Sequence, residues 1–221
     1  MSEGLRATYD REYAHVQSQV LKLGELVDNA ISLALKCLQE RDQGLAHKVI
    51  DDDEAVNDLR FHIEEECLAL IATQQPTASD LRAVIAAMNI ITDVERMGDH
   101  AAGIAKTVIM MGDEPLLKPL IDIPKMAALA RKMLDTSLKA FVKRDAAMAR
   151  SVAVMDDEID TLYKAIFDEL VEIMAKKPDS VSRATYLLWC AHNLERIGDR
   201  VTNIVERVIF MTTGDMQELN V

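Results

Sequence analysis

One segment occurs twice in this chain of 221 residues, about a hundred residues apart, and both copies lie in stretches with helical periodicity. The letters V-E-R-M-G-D at 94–99 return as L-E-R-I-G-D at 194–199. Upstream of each copy, V-I-D-D-D-E-A-V-N-D-L-R at 49–60 matches V-M-D-D-E-I-D-T-L-Y at 154–163. A match of this length indicates duplication of one structural unit. Because a solenoid needs more copies, two stacked bundles are expected.

Apolar residues spaced three and four apart predict six helices, and no segment alternates as a β-strand would. Thr77 or Ser79 is expected to cap the third helix, and Asp179 or Ser180 the sixth. The apolar seam of the first helix has nine members: Tyr9, Tyr13, Val16, Val20, Leu23, Val27, Ala30, Ala34 and Leu38. The predicted helices cover about residues 5–40, 49–74, 79–111, 125–143, 146–176 and 180–211.

The segment at 112–124 holds three of the five prolines and separates the first three helices from the last three. Proline removes a backbone donor and disfavours helix on its N-terminal side, so this segment is the expected joint. We therefore predict an all-α fold of two tandem three-helix bundles related by duplication. The predicted domains are residues 1–112 and 113–221.

Composition excludes several classes of protein. Lys and Arg number 25 against 37 Asp and Glu, a net charge of −12, which opposes binding to nucleic acid or anionic lipid. No apolar run approaches the roughly 18–20 residues of a membrane helix, and the N-terminus lacks the apolar region of a signal peptide. The three cysteines are scattered and predicted to be reduced and buried. A cytoplasmic protein without membrane insertion is expected.

Both copies of the repeat place two acids on the apolar face of a helix. Residues four apart share a helical face, so Glu95 and Asp99 align with the apolar stripe of the third helix. Glu195 and Asp199 do the same in the sixth helix. The preceding helix of each half contributes further acids beside its own stripe. These are Asp53 in the first half and Asp156 and Asp160 in the second.

Acids on an apolar face need a counter-charge, because desolvating a carboxylate is costly. Two sources are open: ion pairs with basic residues, or a metal held by acids of neighbouring helices. The occurrence of the pattern in both halves favours metal. Oxygen ligands suit Mg²⁺, Ca²⁺, Mn²⁺ or oxygen-liganded iron or zinc, whereas zinc with histidine and cysteine ligands does not fit. The basic candidates for ion pairs are Arg96, Lys106, Arg196 and Arg200.

Other motifs carry less chemistry. Gly98 and Gly198 precede the second acid of each pair, and close helix packing is the expected reason for a glycine there. Glu12 and His15 have the Glu-x-x-His spacing of di-iron bundles but no second copy, so they are not expected to bind iron. His192 is predicted to flank the acids and not to bind metal. No catalytic or cofactor-binding residue is predicted, because no triad is recognisable.

These motifs resemble the PhoU family, the phosphate-transport accessory and regulatory proteins of bacteria. The resemblance covers essentially the whole chain, through Q-Q-P-T-A-S-D-L-R at 74–82, V-E-R-M-G-D-H at 94–100, D-D-E-I-D at 156–160 and N-L-E-R-I-G-D-R at 193–200. It implies two similar three-helix bundles, a homodimer, and one metal cluster per bundle. The implied ligands are Asp53, Glu95, Asp99, Asp156, Asp160, Glu195 and Asp199.

The resemblance also implies partners and a function. Family members are linked to a high-affinity phosphate ABC transporter, with its ATPase subunit as the expected contact, and to a membrane sensor histidine kinase. They help to keep the phosphate-starvation response off when phosphate is plentiful. A non-enzymatic regulator, associated peripherally with a membrane transporter, is therefore expected. The alternatives are a carboxylate-metal store or metalloenzyme, and a helical scaffold with ion-paired acids.

The chain departs from the family pattern at one position. Asn57 stands where the first half would carry a second acid, at the place that Asp160 occupies in the second half. An amide oxygen can bind a hard cation but brings no charge. Weaker metal binding is therefore expected in the first half.

Overall fold

The computed structural model describes residues 3–219, and within this range the chain forms six long α-helices and no β-strand. The all-α prediction is confirmed. The helices are α1 (Glu3–Glu40), α2 (Gln43–Gln74), α3 (Ser79–Met111), α4 (Asp122–Lys143), α5 (Ala146–Lys176) and α6 (Val181–Thr213), with a short 3₁₀ turn at Pro178–Ser180. No helix in this described range is both long and apolar enough to cross a membrane.

The helix ends show both the duplication and errors in the predicted caps. Asp42 accepts a hydrogen bond from the Leu45 amide at 2.9 Å, and Asp145 accepts one from the Met148 amide at the same distance. These two caps occupy equivalent positions of α2 and α5. In contrast, α3 begins after Ala78 without a side-chain cap, so the prediction of Thr77 or Ser79 is wrong.

The start of the sixth helix also differs from the prediction. Ser180 is the residue before α6, but its side chain does not cap the helix. The Ser180 hydroxyl instead donates to the Lys177 carbonyl oxygen at 2.6 Å. The helix α4 begins at Asp122, three residues earlier than expected, because proline is tolerated in the first turn, where amides have no intrahelical partner.

The apolar seams predicted from the sequence form the core. Eight of the nine seam residues of α1 are buried; the exception is Ala30, whose neighbour Ile31 is fully buried in its place. The three cysteines are buried and unpaired, as predicted. Burial raises the pKa of the Cys67 thiol to about 12, so this thiol stays protonated at neutral pH.

The two halves pack against each other along α3 and α6, with a smaller contact between α1 and α4. At the first contact, the Asn203 side-chain amide donates to Asp93 Oδ1 at 3.0 Å, and His100 Nδ1 lies 3.0 Å from Asn193 Oδ1. A Cβ at Gly103 would lie 2.8 Å from Asn193 Oδ1, so the glycine permits this close approach. The division at residues 112 and 113 falls between α3 and α4 and stays a prediction as a domain boundary.

Candidate functional site: two carboxylate clusters

The second half brings four acids together where α5 and α6 face each other. We call Asp156, Asp160, Glu195 and Asp199 the second cluster. Asp156 is only 6% exposed, and its Oδ1 atom lies beside Gly198, where a Cβ would be 2.9 Å away. The glycine therefore allows the carboxylate of α5 to approach the backbone of α6, as the sequence predicted for a close helix contact.

The second cluster is electrostatically strained. Burial, with the charges of Asp160 and Asp199 next in size, raises the pKa of Asp156 to about 7. Burial and Asp199 likewise raise the pKa of Asp160 and of Glu195. Two oxygen atoms, Asp156 Oδ1 and Glu195 Oε2, are buried without a hydrogen-bond partner. These oxygens have lost water without gaining a donor, which is the condition that a bound cation relieves.

The first half holds a related but different group. Asp53 of α2 and Glu95 and Asp99 of α3 form what we call the first cluster. A Cβ at Gly98 would lie 3.1 Å from Asp53 Oδ1, which repeats the arrangement at Gly198. Burial raises the pKa of Asp53 and of Glu95, and Asp99 adds to both shifts. Asn57 donates from its side-chain amide to the Asp53 carbonyl oxygen at 3.2 Å.

Basic side chains compensate the first cluster more fully than the second. Lys106 offsets part of the rise in the pKa of Asp53, and Arg60 part of the rise in that of Glu95, with Arg96 adding a smaller effect. In the second cluster, Arg196 pairs with Asp199 at 2.8 Å. The repeat alignment places Tyr163 where the first half has Arg60.

The structure thus places all seven predicted acids in the two clusters. Among residues 3–219, however, no three His, Cys, Asp or Glu side chains are positioned closely enough to hold a metal ion. Their role as metal ligands therefore stays a prediction. Of the basic residues expected to pair with the acids, Arg200 instead lies 3.5 Å from Asp93 of α3, outside the cluster of its own half.

Sequence reasoning missed Arg60 as a member of the first cluster. Its guanidinium also pairs with Glu64 at 3.0 Å and lies over the Phe61 ring at 4.5 Å. The signal was present: Arg60 follows Asn57 by three residues and so lies on the same face of α2. An inspection of α2 for bases as well as acids would have found it.

We expect Gly198→Val to destabilise the protein by about 1–3 kcal/mol, because the added side chain overpacks a close helix contact. The new Cβ would lie 2.9 Å from Asp156 Oδ1 and 3.0 Å from Ile159 Cδ1, so these buried side chains of α5 must shift. Urea unfolding measures the change. The control is Ala128→Val at an exposed position of α4, where only helix propensity is lost, under about 1 kcal/mol. Equal losses for the two variants would refute a close contact at Gly198.

Known proteins are similar to this chain over nearly its full length. The profile of the PhoU domain matches residues 20–108 and 123–208. The "Phosphate-specific transport system accessory protein PhoU homolog" of Clostridium acetobutylicum is 35% identical over 216 residues, covering 97% of this chain and 99% of that protein. The homolog of the same name from Streptococcus pneumoniae is 37% identical over 216 residues, covering 98% of this chain and all of its own length.

Solved structures show the same fold. The crystal structure of the phosphate transport system regulatory protein PhoU from Streptococcus pneumoniae superposes with a TM-score of 0.89 at 36% identity, covering 95% of this chain and 99% of that one. The crystal structure of PhoU from Pseudomonas aeruginosa gives a TM-score of 0.89 at 35% identity, covering 94% of this chain and 100% of that one.

Proposed function

The chain belongs to the PhoU domain family, and from this membership we propose that it is an accessory and regulatory protein of a phosphate transport system. The observation that carries the proposal is the match of both halves, in order, to relatives of the same length that bear this name. The names of these relatives describe accessory and regulatory proteins. They give no support to the alternative of a metal store or metalloenzyme.

In the proposed mode of action the chain works by protein contact and not by catalysis. It binds the ATPase subunit of a high-affinity phosphate ABC transporter and a phosphate sensor histidine kinase. When phosphate is plentiful, these contacts restrain uptake and keep starvation signalling off. The chain is proposed to act in the cytoplasm, in peripheral association with the transporter, and as a homodimer. Light scattering coupled to size exclusion tests the last point, and a monomer mass would contradict it.

Each carboxylate cluster is proposed to bind divalent or iron cations. The donor set fits, because both clusters consist of oxygen ligands and the second contains two buried oxygens without a hydrogen-bond partner. Asp53, Glu95 and Asp99 would hold a cation in the first half, and the four acids of the second cluster would hold one in the second. Mg²⁺, Mn²⁺, Ca²⁺, iron and oxygen-liganded zinc all suit such donors. Binding requires the side chains to rotate toward a common point, and the cation would supply the missing positive charge.

The decisive experiment is a gene deletion with phosphate uptake and starvation-response transcription measured in rich phosphate. We expect derepressed transcription that the wild-type gene restores. Capture of the purified chain with the ATPase subunit and with the kinase sensor, in high and in low phosphate, tests the contacts directly. Normal repression in the deletion strain, or failure of both captures in high phosphate, would contradict the regulatory role.

The contribution of the second cluster is separable in the same assay. A strain carrying Glu195→Gln together with Asp199→Asn tests whether the acids matter for regulation, while Glu158→Gln, at an exposed acid of α5, serves as the control. Protein level must be measured in each strain, so that loss of regulation is not confused with loss of the protein.

A further inference from the structure

His192 lies at the edge of the second cluster, three residues before Glu195 on α6. Its Nδ1 atom is 3.3 Å from Glu195 Oε2. That oxygen is buried and has no hydrogen-bond partner, so the imidazole approaches it without satisfying it by a hydrogen bond. The imidazole itself is half-exposed, with 52% of the side chain accessible to solvent. At this distance a protonated imidazole forms an ion pair with Glu195, whereas a neutral imidazole can offer Nδ1 as a ligand atom beside the same oxygen.

The spacing of these two atoms suits shared ligation. Two donor atoms bonded to one cation at about 2.1 Å, with a bond angle near 90–109°, are about 3.0–3.4 Å apart. The separation of 3.3 Å between His192 Nδ1 and Glu195 Oε2 falls in this interval. The Tyr163 ring of α5 lies against the imidazole, with ring centroids 6.0 Å apart and a tilt of 42°. The contact limits the directions in which the imidazole can turn.

A second observation points to a cation at the same place. Asp156 is 94% buried, and its Oδ1 atom has no partner although it faces the helix that carries Glu195 and Asp199. A buried carboxylate oxygen without a donor is costly to maintain. The unpartnered oxygens of Asp156 and Glu195 therefore belong to one cluster and share one need for positive charge.

The first cluster lacks the corresponding group. Thr92 stands at the repeat position of His192, and its hydroxyl donates to the Met88 carbonyl oxygen at 3.1 Å. Arg60 stands at the repeat position of Tyr163 and places a positive charge beside Glu95. Of these two repeat positions, only the one in the second half carries an imidazole beside its cluster.

We propose that His192 is a nitrogen ligand of the second cluster and gives that site a preference for Fe²⁺, Co²⁺, Ni²⁺ or Zn²⁺ over Mg²⁺ and Ca²⁺. Imidazole suits the later transition metals, whereas carboxylates alone suit the harder cations. The inference rests on the proposed cation binding by the second cluster. It adds a residue that sets the choice of metal, whereas the ligands implied by the resemblance are carboxylates only.

The test compares Co²⁺ and Mg²⁺ binding by calorimetry in the wild-type chain and in His192→Gln. The matched control is His62→Gln, since the His62 side chain is 58% exposed and its Nε2 lies 3.3 Å from Glu66 Oε1, four residues later in α2. We expect Co²⁺ affinity at the second site to fall about tenfold or more in His192→Gln, with Mg²⁺ affinity changed less than about twofold. In the Co²⁺ form, the proton spectrum should show one contact-shifted imidazole N–H, absent only in His192→Gln.

The other outcomes distinguish the ligand role of His192 from the proposed cation binding by the second cluster. Unchanged Co²⁺ affinity in His192→Gln would overturn the ligand role while leaving carboxylate binding intact. Equal losses for Co²⁺ and Mg²⁺ would also overturn it, because they would show a general effect of charge or folding. If the wild-type chain binds neither ion, cation binding by the second cluster fails and the ligand role fails with it, whereas the regulatory function is judged by the deletion strain.

Discussion

Asp156→Asn is expected to stabilise the metal-free protein at pH 8, by about 2–4 kcal/mol relative to wild type. The pKa of Asp156 is raised from 3.8 to about 7, first by burial and then by neighbouring carboxylates. A raised carboxyl pKa means that folding favours the protonated form. This stabilisation is fully present below pH 3.8 and is lost as the pH rises through 7, a span of up to about 4 kcal/mol. The uncharged amide avoids this loss.

Urea unfolding at pH 5 and pH 8, with chelator present, measures the effect. The advantage of Asp156→Asn should be larger at pH 8 than at pH 5, and the wild-type chain should lose stability across this interval. A shallow slope will remain in the variant, because the pKa values of Asp160 and Glu195 are raised in the same direction. Glu158→Gln, at an exposed position of α5, should show little change. A destabilised Asp156→Asn at pH 8 would show that this carboxylate is not strained.

Mn²⁺ titration should reveal two classes of site, with the second cluster binding at least about tenfold more tightly than the first. Affinity for such cations depends on the number of charged ligands. The second cluster has four carboxylates, whereas the first has three and the uncharged Asn57. Three bases also act on the first cluster, Lys106 on Asp53 and both Arg60 and Arg96 on Glu95, whereas Arg196 is the base that acts on the second.

Substitutions show which cluster gives rise to each class of site. Glu195→Gln with Asp199→Asn should remove the tight class, and Asn57→Asp with Lys106→Glu should bring the weak class toward the tight one. The second pair copies the second half, where Asp160 and Glu206 hold these repeat positions. Gln39→Glu with Lys132→Glu, two exposed changes outside both clusters that alter the net charge by the same three units, control for net charge. Equal, tight occupancy of both sites in the wild-type chain would contradict the asymmetry.

The fold could be predicted from the sequence because helices are recognised from residues that are close together in the chain. Spacings of three and four located the helices, and duplication indicated two bundles. The face of each helix also placed Glu95, Glu195 and Asp199 at partly buried positions, as the helical period predicts, whereas Asp99 is exposed at the edge of its face. The same count assigned Ala30 to the buried seam of α1, but Ile31 is buried instead, because the position of a seam drifts along a helix of 38 residues.

What the sequence did not predict depends on contacts between distant segments. No spacing indicated that α3 packs on α6. Nor did any spacing indicate that Arg200 would lie beside Asp93 of the other half and not beside the acids of the second cluster. The predicted caps of α3 and α6 were wrong because Ala78, which has no capping side chain, directly precedes α3, and because Ser180 has a helical backbone and not the extended one of a cap. The approach of His192 Nδ1 to Glu195 Oε2 needs side-chain positions that periodicity does not specify.

The helices that carry the acids are also the helices that join the two halves. One side of α3 presents Glu95 and Asp99, while Asp93 and His100 contact α6 through Asn203 and Asn193. A movement of α3 at its own cluster must therefore be accommodated by α6, which carries the other cluster. Any free energy that links the two sites acts equally in both directions. If the clusters bind cations as proposed, occupancy of the tight site would therefore change the affinity of the weak one through the contact between α3 and α6.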